Sequence, residues 1–317
     1  PLVGPTAVAV SRPVDKELES SLGAMVAPPQ TRFALERLGS VSPGVLDIAL
    51  FDMNGDGVDE VAVLGVDALR VYGVGGARLE RLAVQSLPSD RRWPRVVTGW
   101  LAPLLGARVW VVTSAGHSLL GDAGLSRFDP APAGLVPLRG AIDSGLGRAG
   151  ASAGPLSARW RLGSPVVALP LITIDDVQVK TALPALVRDA VSVPGRARTW
   201  IAVDELGQLV SQSGDDASAP MSPERVGDRI VLADLNGDGE HELVTTSASA
   251  PGEPDHLVLR RLARDLSSSS VVFRSQLSGG SIVAAASGRL EPGGRVEVVL
   301  IEEIGSETLA WRLRYTP

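Results

Sequence analysis

Two short acidic loops carry the chemistry legible in this chain. The first reads Asp52-Met53-Asn54-Gly55-Asp56-Gly57-Val58-Asp59-Glu60, the second Asp234-Leu235-Asn236-Gly237-Asp238-Gly239-Glu240-His241-Glu242. Both follow D-x-N-G-D-G-x-x-E, with side-chain oxygens at positions one, three and five and a glutamate at nine. Hard oxygens at alternate positions can wrap a cation while glycines allow the sharp turn around it. Position seven offers a backbone carbonyl at Val58 and, by the same reading, at Glu240. This donor set suits Ca²⁺ better than octahedral Mg²⁺. Zero cysteines and three histidines argue against soft metals. The candidate ligands are Asp52, Asn54, Asp56, Val58 and Glu60 in one site, and Asp234, Asn236, Asp238, Glu240 and Glu242 in the other.

An EF-hand needs a glutamate at position twelve and flanking helices. Here position twelve is Val63 or Thr245. The flanks, Ile48–Phe51 and Val61–Leu64 around the first loop, Ile230–Ala233 and Leu243–Thr246 around the second, read as strands. A metal-free Asp/Asn/Gly hairpin is the plain alternative, and two copies with the same residue types at five positions count against it.

A strand, this nine-residue loop and a second strand resemble the FG-GAP/VCBS repeat of integrin α-subunit heads and bacterial surface proteins. The likeness covers about 40 positions, the two loops and their flanks; the FG and GAP tripeptides are not visible near them. The bacterial form is therefore the better match. What the resemblance implies is a β-propeller with calcium in the hairpin between the first two strands of a blade.

The spacing of the loops bears on the architecture. Asp52 and Asp234 lie 182 residues apart, four steps of about 45, the length of a four-stranded blade. Candidate first strands begin near residues 46, 95, 184, 228 and 281, with one step, of 89, two blades long. Among them are Arg95–Gly99 before Val109–Thr113, Pro184–Ala190 before Thr199–Val203 and Gln208–Ser213, and Ser281–Ala286 before Val296–Ile301 and Thr308–Arg314. Segments Ser157–Leu162, Val166–Ile174 and Val177–Thr181 would furnish the hidden blade. The expectation is an all-β propeller of four-stranded antiparallel blades, six in number, with five or seven open because 116–183 is weakly patterned. The C-terminus lacks a fourth strand, and Thr31–Leu38 is placed to supply it and close the ring. Residues 1–30 form an N-terminal extension, with a helical stretch at Asp15–Met25, and 31–317 one propeller domain. Glu297 falls at loop position nine of a degenerate copy whose position one is Arg289, and these two are expected to pair. In the second blade the matching positions are Leu101, Pro103 and Leu105, so two calcium sites are expected.

Composition narrows the function. Net charge is −6, and the arginine groups Arg91, Arg92, Arg95 and Arg260, Arg261, Arg264 are dispersed and read as solvated, which disfavours nucleic acid. No apolar run is long enough to span a membrane. Pro1-Leu-Val-Gly has none of the features of a signal peptide, and a chain starting after processing or at an artificial boundary is expected. Modest-affinity calcium loops fill where calcium is near millimolar, which points to an extracytoplasmic location: secreted, periplasmic or on the cell surface.

No catalytic constellation stands out. His117, His241 and His256 lack assignable partners, and Asp175-Asp176 reads as a solvated turn. Gly73–Gly76 and Gly145–Gly154 read as turns or flexible surface. Of the tryptophans, Trp110, Trp200 and Trp311 fall in expected strands and Trp93 and Trp100 at a blade's start, where a sugar platform is conceivable; Trp160 is the sixth. The reading is a calcium-bearing module that binds protein or glycan at the cell surface. The alternatives are a polysaccharide lyase or esterase on a propeller, and an envelope-assembly subunit docking through residues 1–30.

Overall fold

Second strands such as Glu60–Gly65 and Glu297–Ile304 are buried on both faces and carry apolar runs rather than an alternation, whereas the outer strand Arg78–Ser86 is largely exposed. Val61, Ala62, Val63 and Leu64 are all at most 1 % exposed. Successive side chains point to opposite faces, so Ile48 and Leu50 enter one core while Ala49 and Phe51 enter the next.

The computed structural model describes residues 32–87, 99–104, 108–113, 116–121, 124–125, 129–130, 136–138, 159–161, 187–194, 196, 199–204, 206–213, 219–247, 254–276 and 279–316. The chain divides into Pro1–Arg32 and Phe33–Pro317, and every described strand belongs to the second unit. Among the described residues there is no helix. Accordingly no helix there is long and apolar enough to cross a membrane.

Strand β1 (Phe33–Ser40) precedes a sheet of β2 (Val45–Phe51), β3 (Glu60–Gly65), β4 (Ala68–Gly75) and β5 (Arg78–Ser86), paired in chain order. Next come β6 (Gly99–Leu104), β7 (Arg108–Thr113) and β8 (Gly116–Gly121), with β9 (Gly124–Leu125) and β10 (Asp129–Pro130) on β8. A separate pair joins β11 (Val136–Leu138) to β12 (Arg159–Arg161). Strands β13 (Val187–Ser192), β14 (Thr199–Asp204) and β15 (Gln208–Ser213) lead into β16 (Ala219–Ala233). The first part of β16 pairs with β15, and from Val226 it pairs with β17 (Glu242–Ser247). One long strand thus ends one sheet and begins another, which continues through β18 (His256–Leu262) and β19 (Ser269–Gln276). The last sheet has β20 (Ser281–Gly288), β21 (Glu297–Ile304) and β22 (Glu307–Tyr315). Its fourth strand is β1, antiparallel to β22, with Phe33 opposite Tyr315.

First strands lie side by side: β2 packs against β20 and β6, and β16 against β20 and β13. Each core between sheets is shared by two neighbours; Val231, Val244 and Leu259 meet Ile282, Val298 and Leu300 in one of them. The approach between sheets is tight at Gly288, where a Cβ would sit 2.5 Å from Asp59 Oδ2 and 2.6 Å from Leu50 Cβ.

Several expectations need correcting. The strand paired with β7 is Gly99–Leu104 rather than Arg95–Gly99, whose first four residues lie outside the described set. Leu101 and Pro103 are therefore strand residues, not loop positions; this hairpin is short, and Leu105 is not described. Gly73 and Gly75 belong to β4, leaving Gly76 in the turn. The Asp15–Met25, Val166–Ile174 and Val177–Thr181 segments lie outside the described residues, as do Asp175-Asp176 and Gly145–Gly154.

One connection is strained. The β18–β19 turn places Leu266 at φ 61°, the non-glycine residue with positive φ among the described residues. Left-handed backbone costs an L-residue about 1–2 kcal/mol. Leu266 is 4 % exposed and joins Ile201, Leu209 and Met221 in the neighbouring core, and burying a leucine stabilises by about 1.5–3 kcal/mol. Burial outweighs strain. Leu266→Ala keeps the strain and loses the burial, whereas Leu266→Gly relieves the backbone. The glycine variant is expected to be at least as stable as the alanine variant in urea unfolding, with both below the parent; an alanine variant clearly the more stable would refute this account.

Candidate functional site

Both acidic loops form the hairpin between the first and second strands of a sheet. Phe51 pairs with Glu60 across the first and Ala233 with Glu242 across the second. The loops turn through left-handed glycines, Gly55 and Gly57 at φ 80° and 86°, Gly237 and Gly239 at 75° and 86°.

Their hydrogen bonds match position by position. The Asp52 carboxylate accepts from the N–H groups of Gly55 (2.7 Å), Asp56 (3.1 Å) and Gly57 (2.8 Å). Asp234 does the same for Gly237 (2.8 Å), Asp238 (3.1 Å) and Gly239 (3.0 Å). Asn54 Oδ1 accepts from Asp56 N and Asp56 Oδ1 from Val58 N; Asn236 and Asp238 repeat this with Asp238 N and Glu240 N. These side-chain-to-backbone bonds two residues on are Asx turns, the reason Asp and Asn stand at alternate positions. At the base, Glu60 Oε2 accepts from Met53 N at 2.7 Å, and Glu242 Oε2 from Leu235 N at 3.0 Å.

The centre of each loop holds an amide. Asn54 Nδ2 donates to Asp56 Oδ2 and Glu60 Oε1, both at 3.0 Å, and Asn236 Nδ2 to Asp238 Oδ2 (2.9 Å) and Glu242 Oε1 (2.8 Å). In each, an N–H₂ group with partial positive charge bridges two carboxylates. Among the described residues no three acidic or histidine side chains surround one point as a formed cation cage. The donor chemistry nonetheless fits a hard cation: three carboxylates and one amide at positions one, three, five and nine, open at the tip and buried at the base, where Glu60 is 5 % and Glu242 3 % exposed. Burial pushes both glutamate carboxyls above their ordinary range, and the neighbouring aspartates (Asp56 and Asp52; Asp238 and Asp234) push the same way; the backbone bonds from Met53 and Leu235 pull against it.

The loops differ in their neighbours. Asp59 ties the first to the adjacent hairpin: Asp59 N donates to Arg289 O (2.6 Å) and Arg289 N to Asp59 Oδ2 (2.5 Å). In the second, Glu240 pairs with Arg264 at 3.1 Å, but Arg264 is 92 % exposed and such a pair adds little. A cavity of about 180 Å³ lies beside it, lined among others by His241, Arg196, Leu232 and Leu266.

Glu297 stands opposite Gly288, at position nine of the degenerate copy, but its ion-pair partner is Arg312 on β22 (3.7 Å) and not Arg289. Arg260 is buried rather than solvated, with Nη2 2.8 Å from Glu224. Trp200 is buried, and Trp311 packs against a core and donates from Nε1 to Glu302 at 2.9 Å. Trp100, Trp110, Trp160 and His117 lie in strands, and Trp93 is outside the described residues.

Residues that join sheets carry no motif of their own. Asp47 Oδ2 accepts from Leu101 N (2.8 Å) and Asp189 Oδ2 from Ile230 N (3.1 Å), each on the next sheet's first strand. An aspartate inside an apolar strand, as in Val-Leu-Asp-Ile-Ala-Leu, was the signal available.

No family model matches the chain, and no curated protein sequence matches it. Among solved structures, BBS1N in complex with ARL6DN aligns over 90 % of this chain and 95 % of its own, at TM-score 0.52 and 12 % identity. A streptogramin B lyase aligns over 89 % and 98 %, at TM-score 0.45 and 12 % identity. With its antiparallel four-stranded sheets, the chain is an all-β protein of β-propeller-like fold.

The raised glutamates set a pH response for the ion-free protein. An acid whose folded value lies above its unfolded one binds more protons when folded, so stability falls as pH rises through that window and recovers below it. In chelator, Glu60 and Glu242 are expected to contribute stability that grows as pH falls toward the ordinary glutamate range. The Glu60→Gln/Glu242→Gln double variant should flatten that slope in melting curves. An unchanged slope would discard the assignment.

Proposed function

We propose that this chain is a calcium-binding β-propeller of the FG-GAP/VCBS kind, acting outside the cytoplasm as a binding or scaffold module for protein or glycan. The observation that carries this is the frame of eight matching hydrogen bonds in two loops 182 residues apart. Ordinary hairpin turns need no buried glutamate beneath an Asp-Asn-Asp arc. Asp52, Asn54, Asp56 and Glu60 would hold one ion with the carbonyl of Val58, and Asp234, Asn236, Asp238 and Glu242 the other with the carbonyl of Glu240. Each asparagine must then present its oxygen rather than its N–H₂. The ion supplies charge that neutralises the crowded carboxylates; its role is structural.

Six blades closed by β1 is the count we propose. The β1–β22 pairing supports closure, and the β11–β12 pair supports a further blade between the sheets of β6 and β13. Calcium near millimolar outside the cytoplasm would keep modest-affinity loops filled. Loops of a rigid ring present a broad contact surface, and BBS1N, seen with ARL6DN, illustrates a partner held by such an architecture.

Calcium at about 100 times its Kd should stabilise by about 2.7 kcal/mol per site. EDTA is therefore expected to lower the melting temperature and added calcium to restore it. Calorimetric titration should count two sites, and Asp52→Ala and Asp234→Ala should each remove one. Melting indifferent to EDTA would end the calcium reading. Retention on an immobilised glycan panel and on an envelope extract should depend on calcium, and equal retention in chelator would sever the ion from binding.

A further inference from the structure

The hairpin between β20 and β21 holds the place in its sheet that the acidic loops hold in theirs. Gly288 opposes Glu297 there as Phe51 opposes Glu60 and Ala233 opposes Glu242. Positions one, three and five are Arg289, Glu291 and Gly293, while the carboxylate at position nine remains, 8 % exposed. A buried carboxylate needs a counter-charge. It comes from β22: Arg312, its side chain 4 % exposed, sets Nη1 3.0 Å from Glu291 Oε1 and 3.7 Å from Glu297 Oε2. Its Nη2 lies 2.8 Å from Glu36 Oε2 on β1, and Arg314 also pairs with Glu36.

The repeats supply an internal comparison. Arg312 faces Val299 across the ladder, as Val71 faces Ala62 and Leu259 faces Val244. One strand further out, Glu36 is opposite Arg312, Ala83 opposite Val71 and Phe273 opposite Leu259. The third-to-fourth-strand pair is thus apolar in both sheets with an acidic loop and oppositely charged in the C-terminal sheet, whose hairpin keeps the position-nine carboxylate without the loop.

We infer that Arg312 is a built-in counter-cation that takes the place of a metal ion at the third hairpin and locks β1 into the C-terminal sheet. An ion held in a first-to-second-strand loop is remote from a fourth strand. A guanidinium fork on the third strand reaches both sides, hydrogen-bonded to Glu291 of the hairpin and to Glu36 of the closing strand, with its charge 3.7 Å from Glu297, which it does not hydrogen-bond. The need is specific to this sheet, because 276 residues separate Glu36 from Arg312 and no hairpin tethers β1. The comparison with a metal rests on the proposed calcium sites; the lock does not.

The test is amide hydrogen exchange on the full chain, read by peptide. In Arg312→Met, which keeps volume and removes charge, the amides of Phe33–Ser40 are expected to exchange about tenfold faster or more, the size of a lost charge-assisted bond. Glu36→Gln, the milder variant, should move the same peptides less and decides the matter if Arg312→Met does not fold. EDTA should instead accelerate the peptides of 52–60 and 234–242 and leave Phe33–Ser40 protected. Unchanged protection of Phe33–Ser40 in the folded variants, or its loss in EDTA alone, would overturn the lock. No EDTA effect on the loop peptides would remove calcium and leave the lock standing.

Discussion

Among the described strands, β2, β6, β13 and β20 each have one edge without a ladder partner, as has the Val226–Ala233 part of β16, and these strands pack against one another between sheets. Backbone N–H and C=O groups in such a place must be satisfied. Aspartates do this here. Asp47 serves Leu101 and Asp189 serves Ile230. At β20 the arrangement works at both ends. Asp255 N donates to Gly280 O and Asp255 Oδ2 accepts from Ile282 N, while Asp59 exchanges the same kind of bonds with Arg289. The carboxylates reach where a neighbouring strand cannot. Apolar cores can then form between sheets that share no ladder.

Those cores explain the rest of the pattern. A sheet packed on both sides tolerates few polar residues, and some of those it holds stand at strand ends. The acidic loops emerge at such an end, with Glu60 and Glu242 as the first residues of β3 and β17. Each glutamate is both strand and site. It is buried by the core behind it and crowded by the aspartates ahead of it, which is what raises its affinity for protons in the ion-free state.

The hairpins of β16–β17, β20–β21 and β2–β3 follow one another along neighbouring sheets. Arg295 of the middle one would lie 3.3 Å, through Nε, from a Cβ at Gly237 of the second acidic loop, while Arg289 meets Asp59 of the first. The middle hairpin has exchanged two acidic-loop positions for Arg289 and Gly293 and receives Arg312 beneath it. The same place in the sheet therefore carries two charge solutions.

Much of this was legible from residue order. The D-x-N-G-D-G-x-x-E spacing specifies Asx turns and left-handed glycines, because those depend on residues two to five apart. The apolar runs beside the loops specify strands for the same local reason, and Gln208–Ser213 falls where its pattern put it. The partnership of the two chain ends was also within reach, since an unpaired C-terminal strand demands a neighbour. Pairings between sheets were not. That Glu297 meets Arg312 rather than Arg289, that Arg260 is buried, and that Asp47 reaches Leu101 all depend on which strands pack side by side. Local chemistry settled the loops and the strand type; the meeting of distant strands, set by burial on both faces of each sheet, decided which charges are paired and where.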